Sequence, residues 1–300
     1  MTDSVRPFGA LLTAMVTPMD ADGEIDFDAT QHLARFLVSQ GNDGLVLSGT
    51  TGEAPTTHAP EKVDLILAVR EAVGADVHII AGAGSNDTAH AVRMAEQAAE
   101  AGADGVLALV PYYSKPQQAG IVAHIGAIAH ASSLPVMLYD IPGRTGIALT
   151  DASYDALAVL PTIVANKDAT GNVAASKDRI ARTGLAWYSG DDPLTLEFLR
   201  EGAVGVVSVI SHVASPWIRA MIAAHDANDA GLADAWHERL LPVVDAIMGR
   251  GPGGVMSKAA LQAAGVIPTR ATRLPYMPAT DEEYSAISEF LRDAGLPTQE

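Results

Sequence analysis

The chain has 300 residues, 48% of them hydrophobic, with 19 basic and 36 acidic side chains and no cysteine. That apolar content excludes a disordered chain, and the missing cysteine excludes disulfides, thiolate nucleophiles and cysteine-based metal sites. The formal charge of −17 repels phosphate backbones, so nucleic acid is not an expected partner.

At about 150 residues per domain the length suits two domains, or a single α/β barrel. The first 20 residues, MTDSVRPFGALLTAMVTPMD, lack a basic n-region and a convincing cleavage site. No apolar run reaches the roughly 18 residues of a membrane span. A soluble, cytoplasmic protein is expected.

Eight short apolar runs follow one another: LLTAMVT (11–17), GLVLSG (44–49), VHIIAGA (77–83), GVLALV (105–110), PVMLYD (135–140), TIVANK (162–167), LAWYSG (185–190) and VGVVSVI (204–210). Their starts lie 33, 33, 28, 30, 27, 23 and 19 residues apart, the spacing of successive βα units. Runs that are apolar throughout, and not alternating, predict strands covered on both faces of a parallel sheet.

Amphipathic segments between the runs read as helices. Pro60 and Thr150 mark helix starts, and Gly41, Gly74, Gly102 and Gly184 mark helix ends. In DPLTLEFLREG (192–202), Asp192 is expected to cap a helix, with Pro193 at its first position and Gly202 at its end. Eight strands alternating with helices predict a (β/α)8 TIM barrel. An open doubly wound sheet is the competitor. It calls for a Gly-rich dinucleotide turn after the first strand, where this chain has TPMDADGEID.

After residue 228 the strand pattern stops, and 229–249, 255–265 and 280–294 read as helices. The expected organisation is a catalytic barrel over 1–228 and a C-terminal helical region over 229–300. The cluster GRGPGG (249–254) follows a helix instead of a strand, and Lys258 lacks the GK[ST] placement, so the cluster reads as a flexible connector.

A barrel gathers its chemistry at the C-terminal ends of its strands. Those ends carry Thr50, Thr51 and Glu53, then Pro111-Tyr112-Tyr113, Tyr139 and Arg144, Lys167, and finally Asp191 and Asp192. Lys167 stands apart, because Lys62, Lys115, Lys177 and Lys258 all fall in helix-like or loop segments while Lys167 lies in the apolar strand IVANKDA. Burial disfavours an ammonium ion and frees a neutral amine to condense with a carbonyl as a Schiff base. The bland alternative is a lysine paired with Asp168 or reaching out of the barrel mouth. Strand neighbours point to opposite faces, which weakens the pairing.

The remaining parts of a Schiff-base site have candidates and bland alternatives too. SGTTGEAP is either a backbone cradle for a small carboxylate or a simple βα turn. Tyr139, Tyr113 and the Thr50 hydroxyl are either a proton relay or rim packing. Arg144 is either a fork for a second carboxylate or an exposed loop cation. No HExxH or comparable metal set is present, His124 and His130 fall on different faces of one helix, and His78 reads as a strand residue. The chemistry expected is an imine on Lys167, with no metal and no other cofactor.

At these residues the chain resembles the pyruvate-dependent class I aldolase family that includes N-acetylneuraminate lyase. The resemblance rests on GLVLSGTTGE (44–53), PYYSKP (111–116), YDIPGRTG (139–146) and KDATGN (167–172), in that order. It extends from about residue 8 to 230, and the helical tail also fits. It implies that Lys167 forms the imine with pyruvate and that Tyr139 moves protons, linked through Thr50 to Tyr113. It further implies that Thr51 and its neighbouring amides hold the pyruvate carboxylate and that Val207 lines the pyruvate pocket through its carbonyl. The threonine pair, the double tyrosine and Arg144 match members that join pyruvate to L-aspartate-4-semialdehyde on the diaminopimelate route to lysine, with Arg144 orienting the second carboxylate. An aldolase for a 2-keto-3-deoxy sugar acid is the alternative within the family, and a catalytically silent carboxylate-binding barrel the alternative outside it. The resemblance also implies a homotetramer, a dimer of dimers in which Tyr113 reaches into the neighbour's site.

The chain departs from the family pattern in two respects. Asn166 replaces the usual apolar residue before the lysine, and is expected to polarise the back wall of the pocket or disturb packing there. Asn86 and Tyr112 match a lysine-inhibition site at the dimer interface, but Ala59, Lys62 and His90 stand where sensitive members carry His, His and an acid. Weak or absent inhibition by lysine is the expectation.

Overall fold

A computed structural model describes residues 6–298; the first five residues of the expected barrel segment and the last two of the tail lie outside it. Each of the eight apolar runs forms a strand: β1 (Leu11–Ala14), β2 (Gly44–Leu47), β3 (His78–Gly82), β4 (Gly105–Leu109), β5 (Val136–Asp140), β6 (Ile163–Asp168), β7 (Ala186–Ser189) and β8 (Gly205–Ser208). They close in sequence order, with β8 pairing β1, into an all-parallel barrel. The open sheet is excluded.

Among the described residues, twelve α-helices cover the barrel and extend it. Around the strands run α1 (Phe27–Ser39), α2 (Ala59–Val73), α3 (Thr88–Glu100), α4 (Gln118–Ala131), the short α5 (Pro142–Thr145), α6 (Asp151–Ala158), α7 (Val173–Thr183), α8 (Thr195–Arg200) and α9 (Ser211–Asp226). The tail adds α10 (Ala230–Met248), α11 (Gly253–Ala263) and α12 (Asp281–Ala294). Among the described residues no helix is long and apolar enough to cross a membrane.

The continuous apolar strands have a simple cause. Alternate residues such as Leu12, Val46, Ile80, Leu107, Met137, Ala165, Tyr188 and Val207 fill the barrel. Their neighbours Leu45, Ile79, Val106, Leu138 and Trp187 face the helices. Each such side chain removed from water contributes about 2 kcal/mol, so both faces of every strand are driven inward. A separate apolar cluster joins Leu11 and Val206 of the barrel to α8 and α9 and to all three tail helices.

Local signals act largely as expected. Thr150 caps α6 by accepting from the Ser153 amide, and Gly74 and Gly184 end α2 and α7 with positive φ. Asp192 does not behave as expected. A 3-10 turn (Asp192–Leu194) precedes α8, and the Asp192 carboxylate accepts from the amides of Val209 and Ile210, at 2.8 and 3.2 Å. The Asp-Pro pair resembles a helix start, but the barrel brings the orphan amides before α9 within its reach, and they win the carboxylate.

Candidate active site

β5 and β6 align Tyr139 with Lys167 and Asp140 with Asp168. Tyr139 belongs to the interior cluster of the barrel. Lys167 is 6% exposed, and its Nζ lies 4.2 Å from the centre of the Tyr139 ring. Gly190, after β7, makes room for it, since a Cβ there would stand 3.0 Å from Lys167 Cγ.

Asp168 does not pair with Lys167. Its Oδ1 accepts from the Thr170 amide and hydroxyl at 2.9 and 2.7 Å, and its Oδ2 from the Trp187 indole at 3.0 Å. Asp140 accepts from the Tyr154 hydroxyl at 2.9 Å and the Leu149 amide at 3.1 Å. Both carboxylates thus face the helix layer, behind the Tyr139–Lys167 pair. Burial pushes the Asp140 carboxyl up to about 6, with Asp168 adding to the rise and the two hydrogen bonds opposing it. Asn166 is fully buried between Leu138 and Trp187 in strand register, on the same outward side, and neither end of its amide has a protein partner. The expectation that it borders the pocket is therefore corrected: the two-residue period of β6 sends it away from the side that carries Lys167.

A cavity of about 430 Å³ opens at the C-terminal ends of the strands, lined by Thr50, Tyr112, Tyr139 and Arg144 among others. Lys62, His58, His90 and Tyr276 also line it. Burial lowers the Lys62 pKa against the opposing charge of Glu61, and its Nζ donates to the Ala54 carbonyl at 3.0 Å. Val207 lies on β8 in the barrel interior, and Thr51 is buried in the turn after β2. Tyr113 is not part of the cavity: it is 88% exposed, on left-handed backbone with φ +70°. Asp192, buried near the site, is raised by desolvation, while bonds from Ser208, Val209 and Ile210 and the charge of Lys167 oppose the rise. Among the described residues no group of three His, Cys, Asp or Glu is placed to hold a metal ion.

The turn after β2 is built under constraint. Ser48 and Glu53 both have positive φ, 52° and 58°. Gly82 lets the chain pass, because a Cβ there would lie 2.2 Å from the Ser48 carbonyl oxygen. The Glu53 carboxylate is buried against the tail: Lys258 donates to its Oε1 at 2.5 Å and the Arg273 amide to its Oε2 at 3.0 Å. Lys258 itself is fully buried. In sequence it passes for an ordinary helix lysine, with Gln262 one turn further along the same face of an otherwise largely apolar segment. The 249–254 cluster is likewise no loose connector. Gly253 and Gly254 open α11, and a Cβ on Gly254 would lie 2.7 Å from the Thr51 carbonyl oxygen.

The profile of the Dihydrodipicolinate synthetase family matches residues 7–294. The chain is 52% identical over 290 residues to a 4-hydroxy-tetrahydrodipicolinate synthase of Bifidobacterium longum, covering 97% of this chain and 96% of that one. It is 50% identical over 290 residues to a 4-hydroxy-tetrahydrodipicolinate synthase 2 of Streptomyces coelicolor, covering 97% and 96%. Among solved structures, a dihydrodipicolinate synthase of Bacillus anthracis superposes with a TM-score of 0.91 at 40% identity, over 95% of this chain and 98% of that one. A dihydrodipicolinate synthase of Acinetobacter baumannii complexed with pyruvate does so with a TM-score of 0.91 at 34% identity, over 97% and 99%.

Proposed function

The chain belongs to the dihydrodipicolinate synthetase family, and on that premise we propose which of its side chains carry the family's reaction. It is a lyase of the class I aldolase type that condenses pyruvate with L-aspartate-4-semialdehyde to 4-hydroxy-tetrahydrodipicolinate, in the route to diaminopimelate and lysine. The single observation that carries the residue assignment is the pair on β5 and β6: one buried lysine amine over the face of one tyrosine, with the neighbouring carboxylates turned away and otherwise engaged.

Lys167 Nζ attacks the pyruvate ketone carbon and water leaves, giving a protonated imine that draws electrons from the methyl group. Tyr139 relays the proton lost from that methyl carbon, and the enamine carbon attacks the semialdehyde carbonyl. The substrate's own amine then displaces Lys167 from the imine carbon, which closes the ring and frees the enzyme. Thr50, which lines the same cavity as Tyr139, continues the relay. Thr51 and the adjoining amides hold the pyruvate carboxylate, the Val207 carbonyl borders the pocket, and Arg144 orients the second carboxylate. No metal or other cofactor takes part.

Tyr113 completes the relay from a neighbouring protomer, in a homotetramer built as a dimer of dimers. Its exposure on strained backbone, next to a Tyr112 that does line the cavity, supports that role. The barrel, 1–228, carries the nucleophile, and the helical region, 229–300, buttresses it.

Borohydride reduction with pyruvate, followed by peptide mapping, tests the assignment. A pyruvate-derived adduct is expected on Lys167 and none in Lys167→Ala, whose thermal unfolding stays cooperative. An adduct on another lysine, or none in the unaltered chain, rejects the mechanism.

A further inference from the structure

We propose that Glu53, Lys258 and Gly254 are positioning residues for the pyruvate-binding turn, so that the helical tail is a working part of the active site. The proposal rests on the reading above, in which Thr51 and its neighbouring amides hold the pyruvate carboxylate.

The turn after β2 needs outside support. Two non-glycine residues, Ser48 and Glu53, sit at positive φ at its two ends, and such backbone persists only where its surroundings over-determine it. The barrel supplies part of that support: Thr17 Oγ1 donates to the Gly52 carbonyl at 2.8 Å, and Gly82 packs against Ser48. The tail supplies the rest at two separate points. Lys258 Nζ bridges Glu53 Oε1 at 2.5 Å and the Ala271 carbonyl at 2.7 Å, and the Arg273 amide binds Glu53 Oε2. Gly254 abuts the carbonyl of Thr51 itself.

A buried ion pair is a poor device for stability alone. Desolvating two charges offsets most of their attraction, and apolar residues of like volume serve as well or better. What the pair does supply is direction: a charge-assisted hydrogen bond fixes the Glu53 carboxylate, and through it the end of the turn, to within narrow limits. Glu53 lies two residues from Thr51, so a shift at one end moves the amides that face the substrate. Hydrogen-bonding groups displaced from an anion lose ground-state and transition-state binding together, which raises KM and spares kcat.

Three variants test this. Lys258→Met removes the charge and keeps the stem; Glu53→Gln with Lys258→Met removes both charges and regains thermal stability that the single change loses. Gly254→Ala leaves the ion pair intact and presses on Thr51. All three are expected to raise the KM for pyruvate about tenfold or more with kcat within about threefold, as for loss of a hydrogen bond to a charged group. The KM for the semialdehyde stays near that of the unaltered chain. A wild-type pyruvate KM in Gly254→Ala, or in the double variant once its stability returns, overturns the proposal and leaves the contacts a mere anchor for the tail. If the paired variants do not fold, Gly254→Ala decides alone. Borohydride trapping separates the two levels: an adduct on Lys167 with unchanged KM overturns the positioning role only, whereas no adduct in the unaltered chain overturns the reading of the site and the proposal with it.

Discussion

Tyr139 and Lys167 face one way while Asp140 and Asp168, one step along each strand, face the other, and this single alternation separates the proposed reacting pair from its support. Asp140 has a measurable consequence. Its carboxyl is raised to about 6 in the folded chain from an ordinary 3.8, so the native state holds the proton more tightly than the unfolded one. The sign follows: keeping Asp140 charged costs stability above pH 6, and the cost fades as pH falls towards 3.8. Each tenfold change in a proton's affinity is worth about 1.4 kcal/mol, and the unpartnered N–H of an amide at this position takes back part of the gain. Asp140→Asn should therefore stabilise the protein by about 2 kcal/mol at pH 8. At pH 4 the gain should vanish. Urea unfolding at both pH values checks this, and a loss of stability at pH 8 would refute it. The direction of Lys167 is legible from the strand period alone. Asn166 defeats a reading by family position because its strand parity overrides it, and Lys258 escapes notice because a helix lysine is ordinarily solvated.

At the scale of elements, helix caps come through from local sequence, since Thr150, Gly74 and Gly184 act within their own turns; the strands fall where the apolar runs do but are mostly shorter than the runs. Elements whose neighbours are distant do not come through. Asp192 caps the amides that precede α9 instead of its own helix, and the 249–254 glycines meet the β2 turn across the fold. Gly82 shows how tightly such meetings are made. A methyl group there would sit 2.2 Å from the Ser48 carbonyl oxygen, which is backbone and cannot swing aside. Gly82→Ala should cost about 3 kcal/mol through overpacking and should lower the yield of the borohydride adduct at limiting pyruvate. Thermal unfolding and adduct mass together check it; an unchanged midpoint would show that β3 yields freely.

For the whole molecule, the charge of −17 opposes an anion such as pyruvate, so on the proposed reading binding depends on local donors: Arg144 in the cavity and the amides of the β2 turn. The same cavity bears on lysine. Its lining includes Lys62, half-buried, which among the described residues donates to a carbonyl oxygen and a thioether, alongside His58 and His90. An incoming ammonium would meet like charge in place of a carboxylate. Lysine should consequently inhibit weakly or not at all, with less than half-inhibition at about 1 mM, since an unfavourable charge contact of one or two kcal/mol shifts affinity by about tenfold or more. Steady-state rates with increasing lysine check this, and half-inhibition at submillimolar lysine would contradict it.

The sequence by itself determined the barrel, the order of its strands and the buried lysine proposed as the nucleophile, because apolar runs at βα spacing and a lone lysine within one of them are local patterns with few physical solutions. Tertiary structure alone decided the joining of tail to turn. Glu53 and Lys258 are 205 residues apart in the chain, and neither carries a local mark of the other. Only closure of the barrel and packing of α11 against it bring the two charges out of water together, where each becomes the other's required partner.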